Sequence, residues 1–275
     1  MRQVFPPKKV MFFAPHPDDI EMGCPFMFFE ALRLGYKVIE VVMTNGEFGT
    51  FRNEFKGRRL AKIRRRELSH ANEILQEDTK KRIKVIRMGY VDGYLPLNIA
   101  SLNRVRNLIQ AEGPNIIFAP DPLYPQDYHH DHLNTGKLVY YALFKPKPSE
   151  TPRVFYYYST KAESYFKCHW TDLKLLSAAL NAHQSQFSPL AVKLVVPLYK
   201  KLSLIRHLLE KGHLAESYRE QKFENQKPLS MKKFNFWERI IYYIFSSVTK
   251  RALVPLHSLT PEEVGLDRLK TYLDY

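Results

Sequence analysis

Short apolar runs that stop at Pro or Gly alternate along this chain with longer stretches whose apolar residues return every three to four positions. The run Val10-Met11-Phe12-Phe13-Ala14, closed by Pro15, predicts a buried strand. Glu21 to Leu34 then reads as a helix ended by Gly35, with Gly23 near its start allowing close packing on a strand. Lys37 to Met43 predicts a second strand, and Thr44 to Asn53 a Gly-containing loop at its carboxyl end. Gly57 to Gln76 has helical spacing through Leu60, Ile63, Leu68, Ala71 and Leu75. The alternation continues with strand Lys84 to Met88, helix Ser101 to Ala111 with Ser101 as N-cap, and strand Asn115 to Ala119. A loop Asp121 to Tyr128, a helix from His132 to about Phe144 and a strand Val154 to Tyr158 follow, then helices near Asp172 to His183 and Leu202 to Lys222. Strand and helix in turn predict an α/β fold, a Rossmann-like and predominantly parallel sheet flanked by helices.

Two clusters of acceptor side chains sit just past the ends of two of these strands. Pro15-His16-Pro17-Asp18-Asp19 follows the first, and His129-His130-Asp131-His132 follows the run Ile116-Ile117-Phe118-Ala119 and the loop after it. In open α/β sheets ligands bind beyond the carboxyl ends of the strands. So many carboxylates and imidazoles in one place repel or bury charge at a cost of several kcal/mol unless a cation joins them, and a divalent metal serves. If the two strands are parallel neighbours, His16, Asp19 and one distal His come within reach of one ion.

These residues resemble the LmbE/PIG-L superfamily of zinc-dependent de-N-acetylases. That family has Ala/Pro-His-Pro-Asp-Asp-(Glu) after its first strand and His-x-x-His after a later one, matched here by Pro15 to Asp19 and by His129 to His132. Further similar pieces run in the same order: Thr44 to Gly49, Arg64 with Glu67, Gly89 with Asp92 and Gly93, Ala182 to Gln186, and Leu214 to Glu216. The likeness spans about residues 8 to 222 and departs at Ile20, where the family usually has Glu. It implies a catalytic domain over 1–225, with His16, Asp19 and His132 as ligands of Zn2+ or another divalent metal. It implies Asp18 as general base and His129 as a group that, when protonated, stabilises an oxyanion or donates to a leaving amine. Asp18 and Asp19 leave an extended segment in opposite directions, so one of them faces the ion. His130 and Asp131 are expected to point elsewhere, in structural or supporting roles. Arg64 and Asp92 match segments that lie toward the substrate, where they can hydrogen-bond sugar hydroxyls; Arg64 and Glu67 are equally readable as a helix-surface ion pair. His183 is placed by the same resemblance near the pocket. The substrate implied is an N-acetylated amino sugar or its conjugate.

Composition adjusts this picture little. The 275 residues are 45% hydrophobic with interspersed charge, enough for a sizeable core. The net charge of +14 invites a nucleic-acid or anionic-membrane reading, but no nucleic-acid module or aromatic-basic repeat accompanies it. The densest basic patch, Lys56 to Arg66, reads as the solvated face of a helix. Cys24 and Cys168 are far apart and unpaired by motif, and no signal peptide or ~20-residue apolar span is present, so a cytoplasmic location is expected. Residues 226–275 read as an apolar and basic helical appendage. Within it Phe236 to Val248, as a helix about 20 Å long, is too short to cross a bilayer of ~30 Å. It suits packing on the body or on a second copy in a homo-oligomer, or peripheral membrane contact through Trp237, Tyr242 and Tyr243. Two other functions use the same atoms: a non-haem Fe(II) enzyme, whose sites usually ride on β-barrels, and a basic membrane-surface or nucleic-acid binder with a structural metal site.

Overall fold

Val10, Phe12 and Ala14 of the first strand turn to one side of a sheet and Met11 and Phe13 to the other, and both sets are buried, as befits a central strand covered on two faces. The computed structural model describes residues 8–50, 52–126, 129–144, 152–208, 215–221, 235–237 and 239–240. Its strands are β1 (Lys9–Ala14), β2 (Lys37–Thr44), β3 (Ile83–Tyr90), β4 (Ile116–Pro120), β5 (Arg153–Tyr157), β6 (Ser164–Lys167) and β7 (Ala215–Gln221). The helices are α1 (Asp19–Gly23), α2 (Pro25–Arg33), α3 (Arg58–Thr79), α4 (Ile99–Glu112), α5 (His130–Ala142), α6 (Asp172–Ala182) and α7 (Pro189–Leu208). Among the described residues the strands form one sheet in the order β3-β2-β1-β4-β5-β7-β6. β1 to β5 are parallel, and β7 runs antiparallel to both β5 and β6. None of the described helices is long and apolar enough to cross a membrane.

The chain builds β1, β2 and β3 outward in one direction, then crosses through α4 to lay β4 on the other side of β1, with Val10 opposite Ile116 and Phe12 opposite Phe118. The strand order therefore reverses between β1 and β4, and the loops after these two strands diverge around a crevice, the place where such sheets bind ligands. The core lies in two layers. Phe12, Phe28 and Phe118 pack on one face, with the Phe12 and Phe118 rings stacked at 4.8 Å; Phe13, Val41, Val105 and Leu138 pack on the other.

Several sequence expectations change. The helix expected over Glu21 to Leu34 is two, because Pro25 has no amide hydrogen to continue α1. Glu216 of β7 caps the second one, accepting from the amides of Phe26 and Met27 at 3.0 and 2.9 Å. Its C-terminus is as expected: Gly35 at φ +71 and Tyr36 bond back to Leu32 and Ala31 in a Schellman closure. Asn98, rather than Ser101, is the N-cap of α4; Ser101 is the third helical residue and completes a reciprocal capping box. The helix expected over Leu202 to Lys222 is replaced by the end of α7 and by β7, and β6 was not anticipated. Apart from 235–237 and 239–240, the expected C-terminal appendage lies outside the described residues.

Candidate metal and hydrolase site

His16 and Asp19 leave β1 as a tight turn. The Asp19 carboxylate oxygen Oδ2 accepts the His16 amide at 2.8 Å and lies 3.0 Å from His16 Nδ1. His132 arrives from β4 on α5, which sits close to that strand because Gly136 carries no Cβ to run into the Pro120 carbonyl. His132 Nε2 stands 3.2 Å from His16 Nδ1 and 3.3 Å from Asp19 Oδ2. Three donor atoms thus form a nearly equilateral triangle, and all three residues are buried. Donors at ~2.0–2.1 Å from one zinc-sized ion in a tetrahedral shell lie about 3.3 Å apart, so the set fits a single divalent metal. The same imidazoles also gather in two overlapping groups, His16 with His129 and His132, and His16 with Asp92, His129 and Asp131, each within 4.8 Å.

The far side of His16 is held by carboxylates. Nε2 lies 3.1 Å from Asp92 Oδ1 and 3.2 Å from Asp131 Oδ2. A proton on Nε2 satisfies them and leaves the Nδ1 lone pair directed at the triangle, the usual arrangement by which carboxylates orient a metal-binding histidine. The carboxylates are fixed in turn: Asp131 accepts the amides of Gly93 and Leu95 at 2.6 and 3.0 Å, and Asp92 accepts that of Phe48 at 3.0 Å. Asp131 therefore does not point away, as expected from the sequence, but into the cluster from behind. His130 does turn outward, its Nε2 2.9 Å from the Asn134 amide nitrogen.

The electrostatics show how much positive charge this pocket demands. Burial alone would push His16 down, yet the Asp92 charge and hydrogen bonds to Asp131, Asp19 and Asp92 hold it well above the ordinary histidine value. Burial would push Asp19 up, and the charge and hydrogen bond of His132, then those of His16, hold it well below the carboxylate range. Asp92 is depressed in the same way against its burial, chiefly by His16. His129 behaves oppositely. Burial and the charges of His16 and His132 push it down to about 4, so it is neutral at pH 7. It is the N-cap of α5, and its Nδ1 accepts the Asp131 amide at 3.2 Å, which puts the ring proton of the neutral form on Nε2.

Asp18 turns away from Asp19, as expected, and its Oδ1 meets Arg64 Nη2 at 2.5 Å. Arg64 is buried and also donates to the Gly46 carbonyl at 3.2 Å. The Arg64–Glu67 surface pair is absent: Glu67 accepts instead from the Ser185 amide and hydroxyl at 2.7 and 2.6 Å. Arg64 and Asp92, expected to reach toward substrate hydroxyls, are both enclosed and engaged with site residues, Arg64 with Asp18 and Asp92 with His16. Sequence reasoning missed Glu21, whose Oε1 lies 3.3 Å from Nε2 of the fully buried His183. An acidic residue directly after Asp19 is part of the familiar pattern; here Ile20 holds that place and Glu21 is the next acid along, a signal that was available.

Comparison with known proteins gives the site a context. The family model PIG-L, described as GlcNAc-PI de-N-acetylase, matches residues 11–143. The diacetylchitobiose deacetylase of Thermococcus kodakarensis is 28% identical over 226 residues, 77% of this chain and 82% of its own. The crystal structure of N,N'-diacetylchitobiose deacetylase from Pyrococcus horikoshii superposes with a TM-score of 0.68 at 26% identity, over 78% of this chain and 84% of that one. The 4-carboxy-2-hydroxymuconate hydratase GalB from Pseudomonas putida shares the fold at a TM-score of 0.62 but only 17% identity, over 81% of this chain and 100% of its own. The matched segment 11–143 contains both histidine clusters, Asp18, Arg64 and Asp92, so the likeness to the PIG-L family takes in the whole candidate site.

Proposed function

We propose that this protein is a metal-dependent hydrolase that removes the acetyl group from an N-acetylated amino sugar or its conjugate, with His16, Asp19 and His132 holding the ion and zinc as the metal. The observation that carries the reading is the triangle of His16 Nδ1, Asp19 Oδ2 and His132 Nε2, with Asp18 next to Asp19 in the chain. The fold alone does not decide the reaction, since a hydratase shares it. The sugar class rests on relatives whose names specify acetylated glucosamine units. A divalent ion bound there supplies Lewis acidity, polarising the amide carbonyl and lowering the pKa of water.

The chain's own residues do the rest. Asp18, anchored through Oδ1 by Arg64, takes the proton of the attacking water as its oxygen bonds to the acetyl carbon. His129 donates from Nε2 to the carbonyl oxygen as negative charge gathers on it. A neutral imidazole suffices for this, and its burial keeps it neutral. The carbon–nitrogen bond then breaks, Asp18 returns the proton to the departing nitrogen, and acetate and a free amine remain. Asp92 and Asp131 act as positioning residues through His16, and Arg64 through Asp18. The enclosed α/β setting argues against an Fe(II) oxygenase reading of the same ligands. Release of free amine from a panel of N-acetylglucosamine conjugates, alongside metal analysis of the same preparation, tests the proposal; metal-loaded protein that releases no amine from any of them would overturn it.

A further inference from the structure

One strand away from the crevice, between α3 and the carboxyl ends of β2 and β3, lies a cavity of about 290 Å³. This is at the lower edge of the ~300–1,000 Å³ usual for small-molecule sites. Arg58, Lys62 and Arg65 line it from successive turns of one face of α3, and Arg87 of β3 closes it from the sheet. Its floor is apolar, formed by Val42, Ala61 and Leu68, and no acidic residue lines it. Part of the basic patch therefore faces a hollow: Arg58, Lys62 and Arg65 are exposed like Arg59 and Arg66, but they line the cavity together with the half-buried Arg87. Burial, then the charge of Arg65, pushes Arg87 below the usual guanidinium value. The carboxyl of Glu40, beneath on β2, opposes this weakly, because its own burial raises it to about 8 and leaves it mostly protonated at pH 7. Lys62, Arg65 and Arg87 thus present positive charge to the hollow over an apolar floor.

From this we infer that the cavity is a binding site for a small phosphate-bearing anion. Guanidinium forks match phosphate oxygens in pairs, and the apolar floor accepts the non-polar face of the group that carries them. Pro17 and Thr44 form its wall toward the reaction centre. Pro17 lies between His16 and Asp18, and Thr44 holds the same turn through its amide and hydroxyl, both donating to the Pro15 carbonyl at 3.0 and 2.8 Å. An anion in the cavity therefore leans on the loop that carries the proposed base and ligand. The phosphate has two candidate sources: an anionic arm of the substrate itself, or a separate metabolite that modulates the site.

Pyrophosphate is the probe, titrated calorimetrically into wild-type protein, His132→Ala and the double variant Arg65→Gln/Arg87→Gln, each checked for folding by circular dichroism. Wild type and His132→Ala are expected to bind one equivalent alike, and the double variant at least tenfold more weakly, with Arg87→Lys in between. No binding to wild type, or binding that is lost with His132 and survives in the folded double variant, overturns the proposal. Because this arm needs no turnover, it stands apart from the deacetylase reading. The source is then read from kinetics, which do rest on that reading. If the phosphate belongs to the substrate, the double variant raises KM at least tenfold for a phosphorylated N-acetyl amino sugar and leaves a neutral one unchanged. If it is a separate metabolite, pyrophosphate alters turnover of the neutral sugar in wild type and not in the variant.

Discussion

His16 and His132, 116 positions apart in the chain, bring Nδ1 and Nε2 to within 3.2 Å of each other. Two buried imidazole nitrogens at that separation, with the Asp19 carboxylate against both, are held together in solution by a shared proton or a shared cation. The protein as purified is expected to hold one divalent metal per chain, and His132→Ala to lose it, since two remaining ligands underhold the ion. Elemental analysis of the two proteins decides this; full occupancy in His132→Ala would remove that residue from the ligand set.

Adjacent carboxylates are assigned opposite tasks. Asp18→Asn is expected to keep the metal and lower kcat by roughly 10² or more, the usual scale for losing a general base. Asp19→Asn is expected to weaken metal binding itself. Metal titration beside steady-state kinetics separates the two, and exchanged phenotypes would refute the assignment.

Arg64 is bonded to Asp18, the proposed base. Arg64→Leu removes the guanidinium from Asp18 and one of the two donors to the Gly46 carbonyl, so a loss of about 1–3 kcal/mol of stability is expected together with a fall in kcat. A variant whose KM alone rises, with kcat and denaturation midpoint unchanged, would instead make Arg64 a substrate contact.

Glu40 gives the fold a pH dependence away from the active site. Its folded value of about 8 lies above the ordinary carboxylate value of 4.5, so the native state holds the proton more tightly than the unfolded chain. Stability should therefore fall as pH rises from about 4.5 through about 8. Glu40→Gln keeps an acceptor for the Asn72 amide at 2.6 Å and has no charge to bury. It is expected to flatten the decline between about pH 4.5 and about 8 in chemical denaturation; an unchanged slope would mean that Glu40 ionises freely in the fold.

Gly136 tests the approach of α5 to β4. Alanine would favour the helix by ~1 kcal/mol on propensity. Here its Cβ collides with the Pro120 carbonyl and Pro122, so a net loss of about 1–3 kcal/mol is expected from urea unfolding, along with weaker metal binding as His132 shifts. A stabilised variant would show that the helix can back away without harm.

The order of strands and helices through β5 and the two clusters at strand ends were legible from the sequence, because both are local. Apolar runs set the strands, three- and four-residue spacing set the helices, and His16 to Asp19 and His129 to His132 are contiguous in the chain. That β1 and β4 are parallel neighbours, the condition on which the shared site depended, is confirmed by the sheet register. Other features were decided only by tertiary packing. β7 reads as a charged helix because Glu216 and Arg219 look like solvent-facing residues; they are buried by partners far away in the chain, the amides of Phe26 and Met27 and the carboxylate of Asp121. Asp131 and Asp92 likewise acquire their roles from His16, across 115 residues in the case of Asp131. Patterning records which face of an element is apolar, but a buried charge is stable only where the fold delivers its counter-charge, and that pairing belongs to the assembled sheet.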